Sequence, residues 1–159
     1  MRALLFVFLL SSRIGFAQEA LLDSARKNIG EVFKTEAVCL KMHSAFQKAD
    51  ITGNNLLLGY KGAVELGMAR HDPNPFNKMS FFSDGKADLE KAISKDPENL
   101  ELRFLRLTIQ THIPSFLGYS DNKEADKAFV LNHLEEAKSE TFKTKVRKFI
   151  AHAEQNGKL

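Results

Sequence analysis

Tryptophan is missing from this chain of 159 residues, and cysteine, tyrosine and proline number only one, two and four. A single cysteine permits no internal disulfide, so an apolar core has to hold the fold. Runs with the two-residue alternation of a half-buried strand are lacking, and Val and Ile are few beside Leu, Ala, Lys and Glu, which argues against a sheet. The longest strictly apolar run, Ala3 to Leu10, falls far short of the ~20 residues that a bilayer crossing needs. Four prolines leave most of the chain unbroken for helices.

The start of the chain reads as an export leader. Met1-Arg2 is positive, Ala3 to Leu10 is apolar, and Gly15-Phe16-Ala17 places small residues at the two positions a signal peptidase reads. Cleavage is expected before Gln18, with residues 18–159 forming a single helical domain in the periplasm or medium. A membrane anchor is the competing reading, but the run is short and Arg13 interrupts it. No cysteine follows the run to accept a lipid. Loss of the leader removes Arg2 and Arg13 from the 23 basic residues and nothing from the 20 acidic ones, so the formal charge falls from +3 to +1. The pI of 9.0 therefore overstates the basicity of the exported chain, and no broad field for nucleic acid or anionic membrane remains.

Seven helices are expected. The first runs from about Glu19 to Phe33, with Leu22, Ala25, Ile29 and Val32 or Phe33 inward, and the second from Glu36 to Ala49, with Val38, Met42, Ala45, Phe46 and Ala49 inward. Cys39, between Val38 and Leu40, is expected to be buried and inert. The third, Asn55 to Arg70, carries Gly59, Gly62, Ala63 and Gly67 on a face that lets a neighbouring backbone come close. The fourth spans Phe76 to Lys95 with Gly85 as a bend, and the fifth, Leu100 to His112, is apolar almost all round. Asp121 and Glu124 open a sixth through Ala137 with Ala125, Phe129 and Leu134 inward. Thr141 starts the last, whose stripe is Phe142, Val146, Phe149, Ile150 and Ala153.

The junction between helices four and five is the most informative stretch. Leu89, Ala92 and Ile93 make one apolar face, Asp96-Pro97 stops the helix, and Asn99 caps the next. Helix pairs joined through Asp-Pro-x-Asn, with Ala92 five residues before Pro97, resemble the tetratricopeptide-repeat pattern over Phe82 to Gln110. A wider similarity, from Asn55 to about Val130, is to uncharacterised exported bacterial proteins of tetratricopeptide-like build. Its motifs are Tyr60-Lys61-Gly62-Ala63, Leu89 to Ile93, Asp96 to Asn99, Arg103 to Leu107 with Ile109-Gln110, and Phe116 to Tyr119. The resemblance implies an all-α fold of antiparallel helix pairs in a right-handed stack, and an exported setting; it implies no activity.

Catalytic and metal-binding patterns are sparse. His43, His71, His112, His133 and His152 lack ligand spacing, there is no Cys pair, and His71-Asp72 reads as a solvated turn. Ser115 and Ser120 sit on no nucleophile elbow, and no Gly-rich loop precedes a helix to cradle phosphate. Asp84-Gly85-Lys86 lacks the other oxygens of a calcium loop. The chain is read as no enzyme, with no cofactor. Arg103, Arg106 and Gln110, at i, i+3 and i+7, share one stripe of the apolar fifth helix. Buried arginines require acceptors, expected from Glu65, Glu90 or Asp88, or from carbonyls near Phe116 to Tyr119. Alternatively the arginines clamp an acidic peptide or carboxylate between Tyr60 and Tyr119. The candidate binding residues are thus Tyr60, Glu65, Arg103, Arg106, Gln110 and Tyr119. Lys138, Lys143, Lys145, Arg147 and Lys148 read as a solvated face. The leading expectation is a non-catalytic module for a protein or peptide partner, and the alternative is a small-ligand binder with a pocket near Arg103 and Arg106.

Overall fold

The computed structural model describes the backbone of residues 2–159 and the side chains of residues 15–159, so the side chains of most of the expected leader lie outside the described residues. Among the described residues seven α-helices follow one another: α1 Arg2–Val32, α2 Glu36–Lys48, α3 Asn55–His71, α4 Pro75–Lys95, α5 Leu100–Gln110, α6 Lys123–His133 and α7 Glu140–Gln155. Short 3-10 turns cover Ser115–Leu117 and Leu134–Glu136, and no strand occurs among the described residues. The protein is all-α, as the periodicity requires. None of the described helices is long and apolar enough to cross a membrane. The chain forms two compact units, Met1–Ala92 and Ile93–Leu159, whose boundary falls within α4.

In the first unit, α1 starts well before the expected Glu19, because nothing from Gly15 to Gln18 is a strong enough breaker to interrupt it. Its inward stripe holds Leu22, Ala25 and Ile29 as expected and, of the two alternatives at its end, Val32, with Phe33 only half-buried. On α2 the buried residues are Cys39, Met42 and Phe46, spaced i, i+3, i+7, whereas Val38, Ala45 and Ala49 are only half-buried. Asn54 caps α3 by accepting from Leu57 N at 3.0 Å. At the far end of α3, His71 Nε2 donates to Val32 O at 2.8 Å, satisfying a carbonyl in the last turn of α1. His71 is therefore a structural tie between helix ends and not merely part of a solvated turn.

Glycine sets how closely α3 and α4 approach. A Cβ on Gly62 would lie 2.5 Å from Gly85 O and 2.8 Å from Leu89 N, and a Cβ on Gly85 would lie 2.6 Å from Gly62 O. Gly85 is thus a reciprocal contact surface, which corrects the bend expected there. Pairing of Lys61 with Asp88 and of Gly62 with Gly85 shows that the two helices run antiparallel. Gly62→Ala is expected to lower stability by about 1–3 kcal/mol, since the obstructing atoms are backbone and cannot rotate away. A urea midpoint unchanged from wild type would contradict that packing.

Cys39 is completely buried, with Sγ 3.7 Å from Val64 O. Burial, reinforced by the negative charge of Glu36, pushes its thiol up to about 11. Folded protein should therefore resist thiol reagents at pH 8 and react fully once denatured. Because the thiol is held above its ordinary value, it contributes stability that is intact below pH 9.0 and declines as the pH rises through about 11.

In the second unit Asn99 caps α5, accepting from Glu101 N and Leu102 N at 3.1 Å each. Its core joins Phe104 and Leu107 of α5, Val130 of α6, Leu134 of the following turn, and Val146 and Ile150 of α7. Phe104 meets Phe142 and Phe149 edge-on at 5.7 and 5.4 Å. Leu105 and Ile93 are buried, as expected. Ser139 caps α7 through Phe142 N at 3.2 Å, and Gly157 ends it in the left-handed region at φ 63°.

Candidate functional site

The arginine stripe of α5 meets α6. Its acceptor is Asp126, a fully buried carboxylate in the first turn of α6. Arg106 engages it as a fork: Nε donates to Oδ2 at 2.7 Å and Nη2 to Oδ1 at 2.8 Å. Arg103 brings Nε to 2.5 Å from Oδ1, although that N–H is not aligned as a hydrogen bond. Its guanidinium lies 4.6 Å from the centre of the Phe129 ring, which itself stacks on His133 at 4.2 Å. Two residues along α5 from Thr108, Gln110 Nε2 donates to Asn122 Oδ1 at 3.4 Å, while Gln110 Oε1 is buried with no hydrogen-bond partner. The pairs 103 with 129, 106 with 126 and 110 with 122 give α5 and α6 an antiparallel register.

This lock explains why α6 is rotated from the expected face. Asp126, Val130 and Leu134 point inward, whereas Ala125 is exposed and Phe129 half-buried. The helix also starts at Lys123, with no side-chain cap from Asn122, so the cap expected from Asp121 does not form. The signal that would have located the partner is the i, i+4, i+8 line of Asp126, Val130 and Leu134. A lone acid on an apolar line implies a buried cation opposite.

Glu65 and Asp88, two of the expected partners of the arginines, serve Lys61 instead. Lys61 Nζ lies 2.7 Å from Glu65 Oε1 and 2.5 Å from Asp88 Oδ2. Burial alone would lower the Lys61 pKa, but the hydrogen bonds to Asp88 and Glu65 outweigh it and hold it above the ordinary lysine value. The other oxygen of Glu65, Oε2, is buried with no hydrogen-bond partner among the described residues. Tyr60 is buried on α3 of the first unit, five residues before Glu65; Tyr119 is buried in the second unit, directly after Gly118. Tyr60 and Glu65 belong to the first unit and Arg103, Arg106, Gln110 and Tyr119 to the second, where Arg103 and Arg106 meet on Asp126.

The turn before Tyr119 behaves differently. Phe116 is 84% exposed and Leu117 39%, on a 3-10 turn closed by Gly118 N donating to Ser115 O at 3.0 Å. Gly118 takes φ 61°, which a residue with a Cβ rarely adopts. On α7, Lys143 pairs with Glu140 at 3.0 Å and Glu135 at 3.5 Å, and Arg147 also pairs with Glu135. Lys143 is buried, which corrects the solvated position expected for it: its ion pairs with Glu140 and Glu135 hold it against the chain. Among the described residues, no group of three or more His, Cys, Asp or Glu is placed to hold a metal ion. Comparison of the chain with protein families, curated proteins and solved structures finds no match.

Proposed function

We propose that the protein is an exported, non-catalytic helical module, tetratricopeptide-like in build, that binds a protein or peptide partner. The observation that carries this reading is Phe116, an aromatic side chain left 84% exposed on a turn whose backbone is already fixed. A rigid exposed aromatic loses little entropy on docking and buries a large apolar area, the combination found at the anchors of interfaces. Leu117 extends the same apolar surface. The arginine stripe supports the reading indirectly, since Arg106 commits its fork to Asp126 rather than presenting it to a carboxylate ligand. For the same reason a small-ligand pocket at Arg103 and Arg106 is the weaker reading.

The test is recovery of complexes from the native exported fraction with wild type and Phe116→Asp. The expected result is a polypeptide that co-purifies with wild type and is lost from the variant, while both unfold at the same temperature. Equal recovery of that polypeptide by Phe116→Asp would place the contact elsewhere.

A further inference from the structure

The residue expected to begin the exported chain is not an idle end. Gln18 Nε2 donates to Asp50 O at 3.0 Å and to Thr52 O at 3.5 Å, while Gln18 Oε1 accepts from Asn54 Nδ2 at 3.2 Å. One side-chain amide thereby clasps the whole turn between α2 and α3. That turn is built to receive it: Asp50 Oδ1 accepts from Thr52 N at 2.9 Å, Gly53 takes φ 79°, and Asn54 Oδ1 is occupied in capping α3, leaving its Nδ2 to reach Gln18.

An N-terminal glutamine has a characteristic chemistry. Its free α-amine attacks its own side-chain Cδ, a C–N bond forms, the Cδ–Nε2 bond breaks, and ammonia leaves, giving a five-membered lactam with no change of oxidation state. Ring closure needs the side chain folded back over its own backbone, so that nitrogen and Cδ meet at reacting distance. Clasping the turn extends the same side chain to another segment of the chain, and closure would discard the nitrogen that donates to Asp50 O and Thr52 O and draw Oε1 away from Asn54 Nδ2.

We infer that Gln18 is a protected modification site: the 50–54 turn holds its amide away from the new α-amine, so the exported chain keeps an open N-terminal glutamine instead of cyclising to pyroglutamate. The inference rests on cleavage before Gln18. In the first unit, the clasp also ties the start of the exported chain to the α2–α3 turn.

The experiment expresses the full chain with its own leader, purifies the exported protein, and follows its intact mass during incubation folded and in denaturant. The expected mass is that of residues 18–159 with the amide intact, losing one ammonia about tenfold more slowly when folded than when denatured, the factor worth one net hydrogen bond. Asn54→Asp keeps the α3 cap but replaces the donor to Gln18 with a carboxylate oxygen, and should raise the folded rate severalfold while circular dichroism stays unchanged. A mass that begins at another residue would overturn both the leader reading and this inference. A chain that begins at Gln18 but loses ammonia as fast folded as denatured, or is isolated already cyclised, would overturn the clasp alone.

Discussion

Asp126→Ala is expected to cost about 3–5 kcal/mol of stability, read as a fall in urea midpoint at pH 7. The reason lies in what the substitution leaves behind. Asp126 is fully buried and accepts from both Nε and Nη2 of Arg106, whose side chain is only 6% exposed, with Arg103 beside it. Removing the carboxylate takes away two aligned charge-assisted hydrogen bonds and keeps the guanidinium out of water. The loss is a large share of the ~5–15 kcal/mol that holds a domain folded, so the variant should be partly unfolded in mild conditions. Asp126→Asn preserves shape and one acceptor oxygen and should lose less. If Asp126→Ala unfolded at the same urea concentration as wild type, the pair would be contributing nothing to the fold.

Phe104→Ala is expected to cost about 3–5 kcal/mol as well, for a different reason. Phe104 is 5% exposed and sits where α5, α6 and α7 converge, edge-on to Phe142 and Phe149. Truncation removes its apolar burial and both ring contacts, and the surrounding helices cannot collapse fully into the gap. Phe104→Leu fills much of that volume and should recover a good part of the loss. A thermal midpoint for Phe104→Ala within a degree of wild type would show that the ring is not part of the core.

Helix positions were legible in the sequence wherever punctuation and periodicity agreed. Asp96-Pro97 and Asn99 end α4 and start α5 as expected, and the inward stripes of α1 and α7 follow the 3.6-residue repeat. Reading failed where a tertiary contact reverses a local rule. Gly85 looks like a helix weakener in isolation, and only the backbone of Gly62 opposite it supplies the reason for a glycine. The face of α6 is not legible locally, because a carboxylate normally points outward, yet two arginines on α5 draw Asp126 inside and leave Phe129 half-buried. Arg103 and Arg106 lie on a stripe that needs acceptors, but sequence order points to the acids of the preceding helices and not to Asp126. Glu65 and Asp88 are held by Lys61, an i, i+4 neighbour of one and, across the Gly62–Gly85 approach, a neighbour of the other. Exposure of Phe116 was equally invisible, since an apolar loop reads the same whether its side chains point in or out.

Whether the arginine stripe serves the fold is tested most directly by a double-mutant cycle between Arg106→Met and Asp126→Leu, read by urea unfolding. Each single change breaks a buried pair by halves, whereas the double change replaces it with apolar groups of similar size. The predicted result is a double variant more stable than Asp126→Leu alone, with a coupling of at least ~1.5 kcal/mol. Additive losses would mean that Arg106 and Asp126 do not depend on each other, and the arginines would then be available to a ligand.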